Sequence, residues 1–391
     1  MRRRPEALRE GLAALDAAQL RRRTQIPAAG AVDFSSNDYL GLARHPALAQ
    51  AMAAAAASHG AGSGAAHLVT GHGPEHAALE AELANFVGRE RALLFSTGYM
   101  ANLGVVSSLV GRGDLVVSDR LNHASLIDAA TLSRADLQRY AHGDHAGAAA
   151  LLGSWRGTHS GASAALITDG VFSMDGDLAP LQELAAGARR HAAWLLVDDA
   201  HGLGVLGARG RGCCEHFGLD AEAVPLLVGT LGKAFGSFGA FVAGERDLVD
   251  WVLQKARTYI YTTALPQPVA AATRAALRLI DAEPWRRERL LSLVADFRAR
   301  CARAGIALAN SCTPIQPLLL GSAARALKVS EWLLARGFIV KAIRPPTVPA
   351  NSARLRITLS ARHGDADITR LVQLLAEALV LHPADDAGLS A

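Results

Sequence analysis

The sequence predicts an α/β protein: a mostly parallel central sheet with helices on both faces, followed by a smaller C-terminal α+β domain. Three observations predict it. Short runs that are apolar throughout alternate with longer segments of helical spacing, polar residues cluster just after the apolar runs, and the pattern changes past about residue 280. Uninterrupted apolar runs are what strands covered on both faces require. Their alternation with helices is the mark of a parallel sheet.

Residues 1–45 read as an N-terminal arm. Leu8, Leu12, Leu15 and Leu20 suggest an amphipathic helix, and Val32-Asp33-Phe34 a short strand leading into the polar turn Ser35-Ser36-Asn37-Asp38-Tyr39-Leu40-Gly41. Residues 46–280 form the expected large domain. The alanine run Ala51–Ala57 suits a helix, while Gly60-Ala61-Gly62-Ser63-Gly64 must be loop. Strands are predicted at Ala92–Phe95, Leu115–Val117, Ala164–Thr168, Trp194–Val197, Leu226–Val228 and Ala240–Ala243, with helices between them, for instance over Pro74–Val87 and Pro180–His191. Residues 281–391 form the expected small domain. It opens with a charged helix, Trp285–Arg303, and continues through Gln316–Leu320, Ser330–Arg336, Phe338–Ala342 and Leu355–Leu359. A closing helix from Asp365 sets Ile368, Leu371, Leu375 and Leu379 on one face.

Composition excludes several classes. Across 391 residues, 40 basic and 36 acidic side chains leave a net charge of +4, and only four of the basic residues are lysines. The small excess is therefore dispersed arginine and not a nucleic-acid patch. The runs Arg2-Arg3-Arg4 and Arg21-Arg22-Arg23 read as solvated charge. No apolar stretch follows the basic start, which argues against a secretory signal. The longest weakly charged stretch, Leu226 to Gly244, is punctuated by glycines and holds Lys233, which argues against a membrane span. Cys213, Cys214, Cys301 and Cys312 offer no CxxC pair, so neither a disulfide framework nor a zinc ribbon is expected. A reduced, cytoplasmic protein with no nucleic-acid or membrane partner is the expectation.

The chemistry collects where strands end, because ligand crevices open at the carboxyl edge of a parallel sheet. Trp194–Val197 runs into Asp198-Asp199-Ala200-His201-Gly202, and Ala164–Thr168 into Asp169-Gly170-Val171-Phe172-Ser173-Met174-Asp175-Gly176. Leu226–Val228 runs into Gly229-Thr230-Leu231-Gly232-Lys233. Pyridoxal phosphate asks for such a set. It needs a lysine for its Schiff base and a carboxylate that keeps the pyridine nitrogen protonated, which makes the ring an electron sink. Lys233 and Asp198 are the candidates. Thr230 is positioned to bond the phosphate, and the strand-to-helix turn Ser96-Thr97-Gly98-Tyr99 offers N–H groups to an anion. His123 could stack on the ring, and His201 and Ser173 could bond its phenolic oxygen.

Each residue has a plainer role by itself. An Asp after a strand commonly caps a helix, and an isolated histidine is commonly packed or at the surface. Their order at successive strand ends is what favours the cofactor. Two other motifs compete. Gly202-Leu203-Gly204-Val205-Leu206-Gly207 matches the dinucleotide pattern G-x-G-x-x-G, yet Asp198 and His201 precede it at the strand tip and no helical pattern opens on it. A nicotinamide oxidoreductase is the alternative from that class. His67, His72 and His76 could suggest a metal centre, but glycines on both sides of His72 argue against a fixed cage, and no metal is expected.

Four stretches carry a family resemblance: Asn37-Asp38-Tyr39-Leu40-Gly41, Gly170-Val171-Phe172-Ser173-Met174-Asp175-Gly176, Asp198-Asp199-Ala200-His201-Gly202 and Gly229-Thr230-Leu231-Gly232-Lys233. On these the chain resembles the α-oxoamine synthases. Those are fold-type I pyridoxal-phosphate transferases that condense an amino acid with an acyl thioester and lose CO2. The likeness runs from about Arg21 to Leu379. Ala342-Ile343-Arg344-Pro345-Pro346-Thr347-Val348-Pro349, followed by Ala353-Arg354-Leu355-Arg356, is most like the branch that makes 8-amino-7-oxononanoate for biotin. The glycine-using branches, 2-amino-3-ketobutyrate CoA ligase and 5-aminolevulinate synthase, usually lack the Arg-Pro-Pro and tend to carry arginine where this chain has His67. They are the runner-up. Ala65-Ala66 depart from the glycine or hydroxyl residues of many members.

The resemblance implies a reaction of L-alanine with a pimeloyl thioester, on CoA or on acyl carrier protein, in a homodimer with its active site between subunits. Lys233 would carry the cofactor and then take the Cα proton, with Asp198 keeping the ring cationic. His123 would stack on the ring and help orient the substrate. Arg356 would take the amino-acid carboxylate, with Asn37 as a second contact. Arg21 and Thr347 would lie along the acyl path.

Overall fold

The structure, a computed structural model, describes residues 5–24, 26–27 and 29–383. The basic opening at 2–4 and the residues past 383 lie outside it. The chain divides into two compact units: a larger one over Asn37–Ser173 and Asp177–Arg289, and a smaller one over Met1–Ser36, Met174–Gly176 and Leu290–Ala391. These limits differ from the expected 45/46 and 280/281. Strand Val32–Asp33 pairs in parallel with Phe338–Ile339, and the Phe34 carbonyl accepts the Thr358 N–H at 2.7 Å, so most of the arm belongs with C-terminal residues. At the other limit, the start of helix Trp285–Arg303 is tied into the larger unit. Arg286 donates to the Leu40 carbonyl at 3.1 Å and Arg287 to the Ala208 carbonyl at 2.7 Å.

In the larger unit seven strands lie in the order Arg91–Phe95, Ala240–Gly244, Leu226–Thr230, Trp194–Asp198, Ala164–Asp169, Leu115–Asp119, Asp136–Tyr140. Ala240–Gly244 runs antiparallel to both neighbours and the remaining pairings are parallel. Asp136–Tyr140 has no counterpart among the expected strands. It is one of the two edge strands, mostly accessible along its length, and its sequence DLQRY has no apolar run to give it away. Helices Gly98–Leu109, Ala124–Ser133 and Arg246–Lys255 cover one face through Val105, Val106, Leu126, Ala129, Val249 and Val252, packed on Ile167, Leu196, Val228 and Val242. Each fully buried side chain of this size stabilises by about 1.5–3 kcal/mol. That core holds the strand tips, and the residues on them, in place.

The smaller unit holds an antiparallel sheet of Ala342–Ile343, Ala353–Thr358 and Ile315–Gly321, with helices Ala323–Leu334 and Asp365–Leu381. The run Phe338–Ala342 is split between two sheets: its first two residues pair with Val32–Asp33, and Ala342–Ile343 pair with Ala353–Thr358. Helix Pro5–Ala17 carries Leu8, Leu12 and Leu15 half exposed, and Leu20 falls beyond its end. Among the described residues no helix is long and apolar enough to cross a membrane.

One charged strut braces the larger unit near its strand tips. His142 Nδ1 lies 3.1 Å from Asp119 Oδ1, and its Nε2 lies 2.8 Å from Asp177 Oδ2. Asp119 also accepts the Leu121 and Gly143 N–H groups. Hydrogen bonding to Asp119, then to Asp177, pushes the imidazole from an ordinary 6.5 up to about 10. A folded value raised above the unfolded one gives stabilisation that is complete below about 6.5 and disappears as pH rises through about 10. His142→Gln is therefore expected to melt below the wild type at pH 6, with the gap closing toward pH 10.5. A gap that stays constant would show that the ring's charge contributes nothing.

Candidate active site

Asp198 and Asp169 close neighbouring strands and are partners in register. Asp198 is buried. Its Oδ2 accepts from Asn102 Nδ2 at 2.6 Å, and its Oδ1 from the Ala200 N–H at 3.0 Å. Asn102 also donates to Ser125 Oγ at 2.8 Å, and that hydroxyl lies 2.7 Å from His123 Nδ1. Asp198 and His123 are thus joined through two buried side chains. His123 caps the helix Ala124–Ser133, its Nδ1 accepting the Ser125 N–H, and its own N–H donates to Asp169 Oδ2 at 2.6 Å. Burial holds its imidazole below the usual range although Asp198 acts the other way. Burial, and then the charge on Asp198, push the Asp169 carboxyl well above the usual range. Side by side, the two acids favour one charge over two.

The neighbouring Asp199 plays a different part. It is fully buried, accepts the Cys213 N–H at 2.7 Å, and is pushed by burial up to about 7. A Cβ at Gly202 or Gly212 would overlap its carboxyl, so these positions admit no side chain. Within the run Gly202–Gly207, a Cβ at Gly204 would overlap Ala234 and one at Gly207 would overlap Glu215. No helix opens on that run, and the next one is the single turn Cys213–Phe217. The glycine pattern is therefore explained by packing, without a dinucleotide.

Lys233 Nζ lies 2.8 Å from His201 Nε2, and His201 Nδ1 lies 2.6 Å from the hydroxyl of Tyr39, which is fully buried. Tyr39 in turn donates to Asn37 Oδ1 at 3.3 Å. In that direction His201 donates from Nδ1 to Tyr39 and accepts at Nε2 from Lys233. Thr230 ends its strand with its hydroxyl donating to the Gly239 carbonyl at 3.2 Å and accepting the Gly232 N–H at 3.4 Å. Thr97 caps the helix Gly98–Leu109 through the Met100 N–H, leaving the first-turn amides of Gly98 and Tyr99 without intrahelical acceptors. The half-exposed Tyr99 bonds Asp128, which raises its phenol, and Ser173 is half-buried in the loop after Ala164–Asp169.

The remaining candidates belong to the smaller unit. Arg356 is buried on Ala353–Thr358 and donates to Thr358 Oγ1 at 2.9 Å. Arg21 is held by Asp16 at 2.6 Å, and it is Arg22 that reaches Thr347 Oγ1, at 3.3 Å.

The family described as "Aminotransferase class I and II" matches residues 29–375. The 8-amino-7-oxononanoate synthase of Methylococcus capsulatus is 60% identical over 357 residues, covering 91% of both chains. That of Nitrosococcus oceani is 58% identical over 346 residues, covering 88% of this chain and 91% of its own. The chain belongs to the 8-amino-7-oxononanoate synthases. Among solved structures, the 8-amino-7-oxononanoate synthase of Francisella tularensis gives a TM-score of 0.77 at 31% identity, covering 90% of this chain and 99% of its own. A serine palmitoyltransferase solved with PLP gives 0.90 at 29%, covering 97% and 98%. The fold is that of the fold-type I pyridoxal-phosphate transferases.

In this synthase the residues present fit that cofactor. A buried carboxylate, a lysine beside a histidine and a capped helix N-terminus are the donor set that a pyridine nitrogen, an aldehyde carbon and a phosphate require. Open space surrounds the position a Cβ would take at Gly98, so the helix terminus is approachable. Four residues of this set had no role assigned by the sequence alone: Tyr39, Asn102, Ser125 and Asp169. Asn102 left a trace, being an amide amid Ala101, Leu103, Gly104, Val105 and Val106. Tyr39 is the most testable of the four. Tyr39→Phe leaves a buried His201 nitrogen without its partner, a loss of about 1–3 kcal/mol. Turnover is expected to fall about 10- to 100-fold with a displaced pH profile. Wild-type turnover with an unchanged profile would mean that the hydroxyl does not position His201.

Proposed function

We propose that the chain condenses L-alanine with a pimeloyl thioester to give 8-amino-7-oxononanoate, CO2 and the free thiol carrier, a step in biotin biosynthesis. The observation that carries this reading is Lys233 Nζ set 2.8 Å from His201 Nε2, on the sheet edge that also holds buried Asp198. The choice of substrates is supported by 60% identity to a synthase of that product. A bond forms between the alanine Cα and the acyl carbonyl carbon, and the C–S bond breaks to the thiol. The Cα–carboxylate bond then breaks to CO2, and a proton returns to Cα.

Pyridoxal phosphate, when bound, supplies the electron sink that lets Cα release first its proton and then its carboxylate. With the cofactor bound, Lys233 would hold it covalently, and its Nζ would serve as the base for the alanine Cα proton once freed. His201, fixed by Tyr39, would aim that nitrogen and, with Ser173, would bond the phenolic oxygen. Asp198, fixed by Asn102 and Ala200, would keep the ring nitrogen protonated, and His123 would stack on the ring. Thr230 and the amides of Gly98 and Tyr99 would hold the phosphate. The family resemblance gives the alanine carboxylate to Arg356, since a planar guanidinium matches two oxygens, and a second contact to Asn37. Thr347 and Arg21 stand along the acyl path. The acyl group comes on CoA or acyl carrier protein.

The proposed working form is a cytoplasmic homodimer. Val69, Phe238 and Tyr261 are exposed apolar side chains of the larger unit that a second copy would cover. A sedimentation mass of one chain would count against it. For the chemistry, borohydride reduction and peptide mapping should place a pyridoxyl group on Lys233 and on none of Lys255, Lys328 or Lys341. Label elsewhere would sink the assignment. Thiol release from pimeloyl-CoA should be fastest with alanine among alanine, glycine and serine, and a preference for glycine would reject the proposed substrate.

A further inference from the structure

Outside the proposed active site, three histidines of the larger unit converge. The π-helical turn His67–Gly71 folds the chain back so that His67 Nδ1 lies 2.9 Å from His72 Nδ1, and His76 joins them from the first turn of helix Pro74–Val87. One ring nitrogen from each lies within 4.8 Å of the other two. Ring centroids are 5.0, 5.2 and 5.4 Å apart. Three imidazoles on one tetrahedral ion, with metal–nitrogen bonds of about 2.0–2.1 Å, place their centroids about 5 Å apart.

The glycines beside His72, which suggested a loose loop, have the opposite effect. A Cβ at Gly71 would overlap the Ala65 carbonyl, and one at Gly73 the Gln267 amide, so both glycines permit close packing. The loop is pinned further by the Ala264 N–H on the Ala65 carbonyl, at 3.0 Å, and by a bridge from Ala66 to Thr263. Each ring is oriented from behind. His76 Nε2 lies 2.6 Å from the Leu265 carbonyl, His67 stacks on Tyr259 with centroids 5.0 Å apart, and Glu80 Oε2 stands 4.0 Å from His72 Nε2. His76 is held as ligating histidines are, by a carbonyl on the nitrogen remote from the metal.

We propose that His67, His72 and His76 form a binding site for one Zn²⁺-class ion, ligated through the Nδ1 atoms of His67, His72 and His76, with Glu80 orienting His72. One local bond gives way on binding: the Gly73 N–H now donates to His76 Nδ1 at 3.0 Å and would release that lone pair to the ion. The fourth position is left to water. The ion would fasten the π-helical turn to the helix that follows it.

The test uses untagged, full-length holoenzyme, stripped with chelator and dialysed against equimolar Zn²⁺ or Co²⁺. About one ion per chain is expected, with the intense visible bands of tetrahedral Co²⁺ and an X-ray absorption spectrum showing imidazole nitrogens at about 2.0–2.1 Å. His72→Gln, at an accessible position, should abolish binding while the far-UV spectrum stays native. Glu80→Gln should weaken it about 10- to 100-fold, and His159→Ala, on a remote helix end, should leave it unchanged. Less than a tenth of an ion per chain would overturn the proposal and leave a plain His67–His72 hydrogen bond. Equal binding by His72→Gln would overturn it too.

Discussion

Lys233→Ala is expected to leave a folded protein with turnover reduced by about 10⁴-fold or more, because a single substitution removes both the covalent anchor and the base. Folding should survive. Lys233 is half-buried after a strand whose own residues make the core, and its Nζ meets the His201 ring, which has Tyr39 on its other side. The measurement is thiol release from pimeloyl-CoA with alanine, beside a melting curve and the absorbance of bound cofactor. Added primary amines should restore part of the proton transfer without restoring the covalent link. A variant that kept most of its activity would remove Lys233 from the chemistry altogether.

Asp198→Asn is expected to cost about 10²- to 10⁴-fold in turnover. The substitution keeps the shape and removes the charge. Asn102 Nδ2, now donating at 2.6 Å, would face either an amide oxygen or a second amide nitrogen, so the fixed orientation weakens with the charge. A second effect distinguishes this residue from an ordinary buried acid. The charge on Asp198 is one of the causes that raise Asp169, so its removal should let Asp169 ionise at lower pH. The pH dependence of stability should therefore shift to the acid side along with the loss of activity. Loss of activity with an unmoved pH profile would point to misfolding around Asn102 and not to the missing charge.

The legible parts of this protein are those that apolar periodicity or a motif can mark. Leu226–Thr230 and Trp194–Asp198 are buried on both faces and read as apolar runs, whereas Asp136–Tyr140 sits on the edge with charged side chains and has no such run. In the site, Lys233, His201 and Asp198 stand at strand ends where polar residues interrupt apolar ones. Asn102, Ser125 and Tyr39 do not, because each lies where helix or turn chemistry already explains a polar residue. Only three-dimensional closure shows that they form one hydrogen-bonded set. Around His72, spacing alone does not distinguish a glycine that loosens a loop from one that allows close packing, as Gly71 does against the Ala65 carbonyl.

The pairing of Val32–Asp33 with Phe338–Ile339 has a consequence for how the chain is made. The two segments are separated by about 300 residues. At roughly 5–20 residues per second of synthesis, the first strand waits about 15–60 s for its partner to emerge from the ribosome. The larger unit is nearly continuous from Asn37 to Arg289 and has all its strands by then. It can close while the N-terminal 36 residues are still without a sheet to join. During that interval a two-residue strand and a helix with half-exposed leucines are the parts of the nascent chain most open to chaperones or to a wrong neighbour.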